Sequence, residues 1–360
     1  MHVLWLIRDD LFQRPGGDTT QIVETSNALR CAGVRVDLSG QLGPKLNGYD
    51  LVHLFHLDRL WENIPHCRRI RQYGCPAVLS PIWWPVDHFD TCGRVGLTGL
   101  LARRLGSRQF QNIRLGQRSA WLWLKHLASD QAATMITAST FATRYLLDTV
   151  RVLLPNSRAE QQAIELRFAV QVPAVVVPNG ADADFFRPPP QPTHRNGVLC
   201  VARIEPRKNQ LQLIRALKPM GLDLTLAGRT CHRKYLRHCR REAGSQVRFA
   251  GHCNRHEVRA LYQRARVHVC PSWYETPGLV NLEAALCGCA VVATPDGSTR
   301  EYLGQDVIWC RPDDRASIRL AVDTALRRAD SGRLLDRIRL RYSWAEAARC
   351  TMAAYQQATR

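Results

Sequence analysis

The sequence predicts an α/β fold with two doubly wound domains, each built on a parallel sheet. Short apolar strand patterns alternate with helical patterns along both halves of the 360-residue chain. Such alternation produces a parallel sheet that helices cover on both faces. A strong turn signal, Pro178-Asn179-Gly180, and a run rich in proline separate the halves. We therefore expect two Rossmann-like domains that face each other across a cleft.

The domain boundaries follow from these signals. We expect an amino-terminal domain over 1–177, a linker over 178–192 and a carboxyl-terminal domain over 193–340. We expect the remaining residues, 341–360, to form a helix that packs back on the first domain. In open parallel sheets ligands bind at the carboxyl ends of the strands, so the loops after the strands are where we expect chemistry.

Apolar runs predict the strands of each half. In the first half the predicted strands are Val3–Ile7, Val34–Leu38, Leu51–Phe55 and Ala77–Ser80. After the first strand come Gly16-Gly17 and a helix, for which Asp18 and Gln21 resemble a capping box. In the second half the predicted strands are Val198–Ala202, Leu222–Ala227, Val247–Ala250, Val267–Cys270 and Ala290–Thr294.

Composition narrows the class of protein. Charged residues make up 22% and hydrophobic residues 45%, so the chain folds and is not disordered. The net charge of +19 predicts attraction to nucleic acid, anionic lipid or phosphorylated ligands. Acids at Asp9 and Asp10 come too early for a signal peptide, and the 13 cysteines lack framework spacing. We expect a cytoplasmic protein with reduced thiols and no zinc site, since no Cys-x-x-Cys pair occurs.

A basic segment, residues 94–127, interrupts the alternation. It carries arginines and one lysine without any acidic residue, interleaved with leucines and tryptophans. One interpretation is a surface that docks on the anionic inner face of a membrane. The other is a helix pair that packs in the core and keeps a solvated basic face, which is the commoner use of such patterns.

The most informative stretch runs from Glu275 to Glu283, with Thr276-Pro277-Gly278 after the first glutamate. Thr276 suits a helix N-cap and Pro277 the first helical position. Amide groups of Gly278, Leu279 and Val280 would then meet a phosphate at the positive end of the helix. The two carboxylates suit the hydroxyl groups of a sugar. A pocket for phosphate and polyol together fits a nucleotide sugar, whereas the plain alternative is a helix start with two surface glutamates.

A second phosphate signal follows the strand that ends in Ala202. Arg203 and Lys208 flank the loop Ile204-Glu205-Pro206-Arg207, and Asn209 suits a helix cap with Gln212. Guanidinium grips phosphate through two prongs and ammonium as a compact charge. For Arg207 we favour simple surface charge. Walker and dinucleotide motifs do not occur.

The order of these motifs resembles retaining glycosyltransferase family 4, which is built on the GT-B fold. The motifs that carry the resemblance are Gly16-Gly17, Pro155-Asn156-Ser157, Pro178-Asn179-Gly180, Val201-Ala202-Arg203, Arg207-Lys208-Asn209, Leu226-Ala227-Gly228-Arg229, Phe249-Ala250-Gly251-His252, Pro271-Ser272 and the pair Glu275 and Glu283. The similarity covers nearly the whole chain and is densest in the second half.

The resemblance implies roles for single residues. Arg203 and Lys208 would hold the donor diphosphate, Glu275 would face the donor sugar, and Glu283 would accept the ribose hydroxyls. Gly17 would bring its amide to the phosphate, and Arg229 would lie near the base. The amides of Gly278, Leu279 and Val280 would face the distal phosphate, and Asp87 or His88 would serve the sugar and acceptor side.

The implied reaction moves a sugar from a UDP- or GDP-sugar to a glycan or lipid-linked acceptor. We expect no cofactor and no metal, because cations of the protein neutralise the diphosphate. Bacterial relatives of this length commonly build surface polysaccharides or glycolipids. Two alternatives stay open: a nucleotide-sugar epimerase of GT-B fold, and a basic nucleic-acid-binding protein without enzymatic activity. No binding module for a specific nucleic acid occurs in the sequence.

Overall fold

The computed structural model describes residues 1–124, 139–191, 194–328 and 332–360, with the side chains of 118–124 and 139 left aside. By contacts within the chain these residues group into two compact units. The first unit comprises 1–85, 105–180 and 344–360, and the second comprises 86–104 and 181–343. The division after Gly180 falls inside the predicted linker. The domain boundaries themselves stay a prediction.

The first unit is built on a parallel sheet with the strand order β2-β1-β3-β4-β5. Its elements are β1 (His2–Leu6), α1 (Gly17–Cys31), β2 (Arg35–Ser39), β3 (Leu51–Phe55), α2 (Leu60–Tyr73), β4 (Ala77–Ser80), α4 (Ser107–Leu124), α5 (Ser139–Leu147), β5 (Val152–Leu153), α6 (Arg158–Phe168) and α14 (Trp344–Thr359). Helix α3 (Gly96–Leu105) precedes α4 and begins in the second unit.

The second unit has a parallel sheet with the strand order β11-β10-β9-β6-β7-β8. Its further elements are β6 (Asn196–Val201), α7 (Gln210–Leu217), β7 (Leu224–Ala227), α8 (Arg233–Glu242), β8 (Val247–Gly251), α9 (Arg255–Arg264), β9 (Ala265–Cys270), α10 (Leu279–Leu286), β10 (Ala290–Ala293), α11 (Thr299–Leu303), β11 (Ile308–Trp309), α12 (Arg315–Arg327) and α13 (Arg333–Arg341). The prediction of two α/β domains with parallel sheets is confirmed.

Hydrophobic residues fill the space between sheet and helices in each unit. In the first unit Trp5 and Tyr355 are fully buried, and the Trp5 indole N–H donates to the Tyr355 hydroxyl at 2.9 Å. This bond joins the last helix, α14, to the first strand. Helix α14 also packs along α1, so the end of the chain completes the core of the first unit.

The capping box predicted for α1 is wrong, because tertiary partners take both side chains. Asp18 does not cap α1: its carboxylate accepts from Arg8 Nε at 2.7 Å, and Gly16 occupies the cap position. The amide of Gln21 donates to Asn156 Oδ1 at 3.0 Å and accepts from Asn179 Nδ2 at 3.1 Å. Gln21 thus joins the asparagines of two turns that were both singled out in the sequence.

The prediction for α7 is right in position and wrong in bonding. Asn209 occupies the N-cap position, with φ of 62°, but its side chain makes no cap bond. Its amide instead donates to the carbonyls of Pro271 at 3.1 Å and Pro312 at 2.7 Å. These carbonyls follow β9 and β11, so Asn209 pins the loop after β6 to loops on the same edge of the sheet.

The basic segment 94–127 lies only partly within the described residues, since 125–127 and the side chains of 118–124 fall outside them. Its described part contains α3 and α4. Leucines on α3 are exposed, which differs from the expectation of a core-packed helix pair, whereas Phe110 of α4 is buried as that expectation requires. Within the described ranges, no helix combines the length and the apolar character that crossing a bilayer needs.

Candidate functional site

Lys208 and Glu275 meet at the carboxyl edge of the second sheet. Lys208 ends a short turn after β6, and Glu275 lies in the loop after β9, the neighbouring strand. The Nζ atom of Lys208 donates a hydrogen bond to Oε1 of Glu275. The two side chains are only 11% and 6% exposed. Because carboxyl ends of parallel strands share one edge, residues 67 positions apart come together here.

The loop after β10 completes the support of Glu275. The Glu275 amide donates to the Asp296 carbonyl at 3.2 Å, and the Ser298 amide donates to the Glu275 carbonyl at 2.9 Å. Gly297 lies between these residues with φ of 99°, and a Cβ on it would fall 1.9 Å from the Glu275 carbonyl oxygen. Only glycine fits at this close approach. The neighbouring strands β6, β9 and β10 therefore all contribute a loop to the site.

Nearby cations hold Glu275 in its charged form. Burial alone would raise the pKa of this carboxyl, but the charges of Lys208 and Arg207 lower its pKa to about 2. The Cys270 thiol donates a weaker hydrogen bond to Oε1 of Glu275 at 3.4 Å. A buried carboxylate with such partners stays ionised at neutral pH and accepts hydrogen bonds.

Arg207 is a part of this cluster that the sequence reasoning assigned to plain surface charge. Its side chain is 21% exposed, and its Nη1 lies 4.0 Å from Glu275 Oε2. The guanidinium stacks over the Tyr274 ring, 5.1 Å from the centroid. Oε1 of Glu205 accepts from Arg207 Nε and from Arg203 Nη2, each at 3.3 Å. The signal available in the sequence was its place directly before Lys208.

Arg203 is the more open cation of the group. Its side chain is 39% exposed, and its carbonyl accepts from the Gln210 side chain at 2.8 Å. The amide of the next residue, Ile204, donates a hydrogen bond to the Arg229 carbonyl at 2.9 Å. The backbone of Arg229 therefore lies close to the backbone of Arg203. The Arg229 side chain itself is exposed.

Helix α10 begins two residues later than predicted. The cap position belongs to Gly278, at φ of 82°, instead of Thr276, and Pro277 follows a cis peptide bond outside the helix. A Cβ on Gly278 would lie 3.2 Å from Cβ of Glu275, so the helix start is adjacent to the cluster. The amides of Leu279 and Val280 belong to the first turn, where the helix supplies no acceptor carbonyl.

Glu283 lies in the second turn of α10. Its Oε2 accepts from the buried Tyr262 hydroxyl at 3.3 Å. Burial raises the pKa of Glu283 to about 7, although Tyr262 and Arg255 act in the opposite direction. The pKa values of Glu275 and Glu283 thus shift in opposite directions, since Lys208 and Arg207 outweigh burial at Glu275, whereas burial outweighs Tyr262 and Arg255 at Glu283.

Asp87 and His88 belong to residues 86–104, which group with the second unit. The His88 ring meets Trp273 edge-on at 5.0 Å between centroids, and its Nδ1 lies 3.5 Å from Asp296 Oδ2. Asp296 also accepts the Glu275 amide, so His88 is one residue removed from the cluster. The Asp87 carbonyl accepts from the Thr91 hydroxyl at 2.9 Å.

Gly17 belongs to the first unit, at the first position of α1. A Cβ on it would meet no heavy atom within 4 Å, so space is open beside this backbone. Arg8 organises the preceding loop by binding the carbonyls of Asp10 at 2.9 Å and Arg14 at 2.7 Å. Among the described residues, no group of three or more His, Cys, Asp or Glu stands close enough to hold a metal ion.

Known proteins resemble this chain in sequence and in fold. Residues 182–349 match the model of the family "Glycosyl transferases group 1". A glycogen synthase of Mycobacterium tuberculosis is 33% identical over 206 residues, which are 51% of this chain and 49% of that protein. The chain thus spans about half the length of the curated relatives it matches.

Two solved structures share the fold over almost the whole chain. Sucrose-phosphate synthase from Thermosynechococcus elongatus superposes with a TM-score of 0.74 at 17% identity, covering 99% of this chain and 98% of that one. Anabaena HepE, solved in complex with UDP, gives 0.67 at 16% identity over 99% and 100%. The chain therefore has the GT-B fold, and its residues 182–349 are similar to the glycosyl transferases group 1 family.

Proposed function

We propose that this chain is a retaining glycosyltransferase of family 4. It transfers a sugar from a UDP- or GDP-sugar to a glycan or a lipid-linked acceptor, in the assembly of bacterial surface polysaccharide or glycolipid. The observation that carries the proposal is the cluster of buried Lys208 and Glu275 with the partly exposed Arg207, beside the first turn of α10. The match of residues 182–349 to a glycosyltransferase family supports it.

The cluster suits a donor with a charged leaving group. Departure of the nucleoside diphosphate builds negative charge on the distal phosphate. Arg203, Lys208 and the amides of Leu279 and Val280 are placed along one sheet edge to stabilise that charge. Donors fixed in place before the reaction lower the barrier without reorganisation. In this proposal the Lys208 ammonium also donates a hydrogen bond to the diphosphate when the donor binds, and its interaction with Glu275 weakens.

The two glutamates have different tasks. Glu275 remains ionised, since its pKa is about 2, and accepts hydroxyl groups of the donor sugar. Glu283, with a pKa of about 7, accepts the ribose hydroxyls in its ionised form. They are not an acid–base pair of a hydrolase. The diphosphate oxygen itself takes the proton of the acceptor on the face that the acceptor attacks, which retains the configuration.

His88 and Asp87 lie on the sugar and acceptor side in this proposal. The contact of His88 with Asp296 supports the assignment, because the carbonyl of Asp296 accepts a hydrogen bond from the Glu275 amide. Neutralisation by Arg203 and Lys208 replaces a metal ion, so we propose that transfer needs no cofactor. Retention of activity after treatment with a chelator is the expected result.

The decisive experiment is a calorimetric titration of the full chain with UDP, GDP and a panel of their sugar conjugates. A ligand that binds only the folded protein also raises its melting temperature. The preferred donor is then incubated with oligosaccharide and lipid-linked acceptors, and the anomeric configuration of the product is read by NMR. Absence of binding by every UDP and GDP compound would refute the proposal.

The same assay separates the alternatives. An epimerase would release an altered sugar nucleotide without any acceptor. A nucleic-acid-binding protein would bind DNA with steep salt dependence and no donor.

A further inference from the structure

Helix α3 is oriented with its large apolar side chains outward. Gly99 and Ala102 are buried, and a Cβ on Gly99 would fall 2.3 Å from the Arg94 carbonyl oxygen, so this small-residue side lies against the protein. On the other side Leu97 is 80% exposed, Leu100 47% and Leu101 50%. These leucines are spaced three and four residues apart, so they lie on one helical face. A helix of a soluble surface normally shows the reverse arrangement.

The charge around this face has one sign. Arg103 and Arg104 are exposed at the end of the same helix. No acidic residue occurs in the sequence from 91 to 129. Adjacent acids would have offered the arginines partners within the segment. An apolar face bordered by unopposed positive charge is the pattern of helices that lie in a membrane interface, with leucines among the acyl chains and arginines at lipid phosphates.

We propose that α3 docks the protein on an anionic lipid surface through Leu97, Leu100 and Leu101, with Arg103 and Arg104 bound to lipid phosphates. Residues 86–104 group with the second unit, and Gly93 packs against Trp273 beside the Lys208–Glu275 cluster. The docking helix therefore belongs to the unit that carries the candidate site. A second copy of the chain is a less fitting occupant, because two such faces would bring like charges together.

The test is flotation of the full chain with lipid vesicles. Vesicles of phosphatidylcholine are compared with vesicles that contain about 30% phosphatidylglycerol, the anionic lipid. We expect the parent to float with the anionic vesicles and much less with the neutral ones, with loss of binding in high salt. The double variant Leu97→Ser/Leu101→Ser should reduce the bound fraction by about tenfold, because it removes most of the apolar face.

Matched controls separate this surface from general stickiness of a basic chain. Leu320→Ser/Leu340→Ser removes leucines that are 66% and 84% exposed on α12 and α13, and it should leave flotation unchanged. Arg103→Gln/Arg104→Gln should weaken binding to the anionic vesicles, whereas Arg233→Gln/Arg237→Gln on α8 should not. Equal loss in the control and test variants, or a parent that does not float, would overturn the proposal.

Sedimentation equilibrium tests the other occupant. A dimer of the parent that Leu97→Ser/Leu101→Ser dissociates would assign the face to a second copy and would refute lipid docking. All these measurements use no donor and no acceptor. Failure to bind vesicles would thus leave the proposed glycosyl transfer untouched, and failure of donor binding would leave the docking result valid.

Discussion

Lys208 donates to Glu275 in a site where both residues were predicted to bind the same donor molecule. Neither charge would be stable alone in this position, since removal of one partner leaves the other buried without compensation. The pair keeps both groups charged and oriented in the absence of a ligand. It also means that a loss of activity in a single variant combines a chemical and a structural effect.

A double-mutant cycle separates these two effects. Lys208→Met should lower the free energy of unfolding by about 3 kcal/mol, because buried Glu275 loses its hydrogen-bonded cation and keeps only Arg207 nearby. The further change Glu275→Gln should recover most of that loss by removing the unpaired charge. Sugar transfer should stay at least about 100-fold below the parent in both, since the cation at the diphosphate is missing. Lys218→Met, at an exposed lysine, is the control. Recovery of transfer in the double variant would contradict the assigned role of Lys208.

Arg207 should matter for transfer although its sequence context favoured plain surface charge. Arg207→Ala removes a charge 4.0 Å from Glu275, so the pKa of Glu275 should rise. We expect transfer to fall about tenfold, as one of several cations near the diphosphate is lost. Arg237→Ala on α8 should have no effect. A parental rate in Arg207→Ala would return this residue to the surface.

The close approach at Gly297 gives a steric test. Gly297→Ala should displace the Glu275 backbone, because the new Cβ would fall on its carbonyl oxygen. Gly221→Ala is the matched control: φ there is 63°, and a Cβ would meet nothing within 4 Å. Both changes carry the cost of a left-handed residue, about 1 kcal/mol. Only Gly297→Ala should also abolish transfer. Equal rates in the two variants would exclude a steric constraint on Glu275.

Donor binding should depend on pH through Glu283. Its pKa of about 7 means that the carboxylate, the form that accepts ribose hydroxyls, fills as the pH rises from 6 to 8. We expect the affinity for the nucleotide to increase over this interval in calorimetric titrations. Glu283→Gln should remove this dependence, and Glu242→Gln, at a salt-bridged glutamate of α8, should keep it. An unchanged pH profile in Glu283→Gln would contradict the assignment.

Glu160 offers a test of stability in the first unit. Its two carboxylate oxygens accept from the amides of Trp83 and Asn156, each at 2.6 Å. Glu160→Gln replaces one acceptor oxygen by an amide donor that faces an N–H group. The free energy of unfolding should therefore fall by about 2 kcal/mol. Glu165 on the same helix accepts from the Gln161 side chain, so Glu165→Gln should change stability by less than about 0.5 kcal/mol.

The pH dependence at Glu160 has a defined sign. Burial raises its pKa from the ordinary 4.5 to about 7. Its contribution to stability is therefore complete below pH 4.5 and is lost as the pH rises through 7. Chemical denaturation of the parent and of Glu160→Gln at pH 5 and 8 should reveal this difference. A stability difference that does not change with pH would disprove the shifted pKa.

The sequence by itself determined the two α/β units of this protein and most strands of their parallel sheets. Apolar runs such as Leu51–Phe55 and Ala77–Ser80 became strands with the predicted bounds, because buried parallel strands need continuous apolar residues. It missed the two-residue strands Val152–Leu153 and Ile308–Trp309, which are too short to carry a periodic signal. The sequence also placed Arg203 and Lys208 beyond the carboxyl end of one strand, and both residues follow β6 in the structure.

Only the tertiary structure decided which partner each polar side chain takes. Asp18, Gln21 and Asn209 have the residue types of helix caps, yet each binds a group distant in sequence or in another loop. Local propensity describes the first turn of a helix, whereas packing brings in acceptors that the sequence order does not reveal. For the same reason the fold placed the partly exposed Arg207 against Tyr274 and turned the leucines of α3 outward.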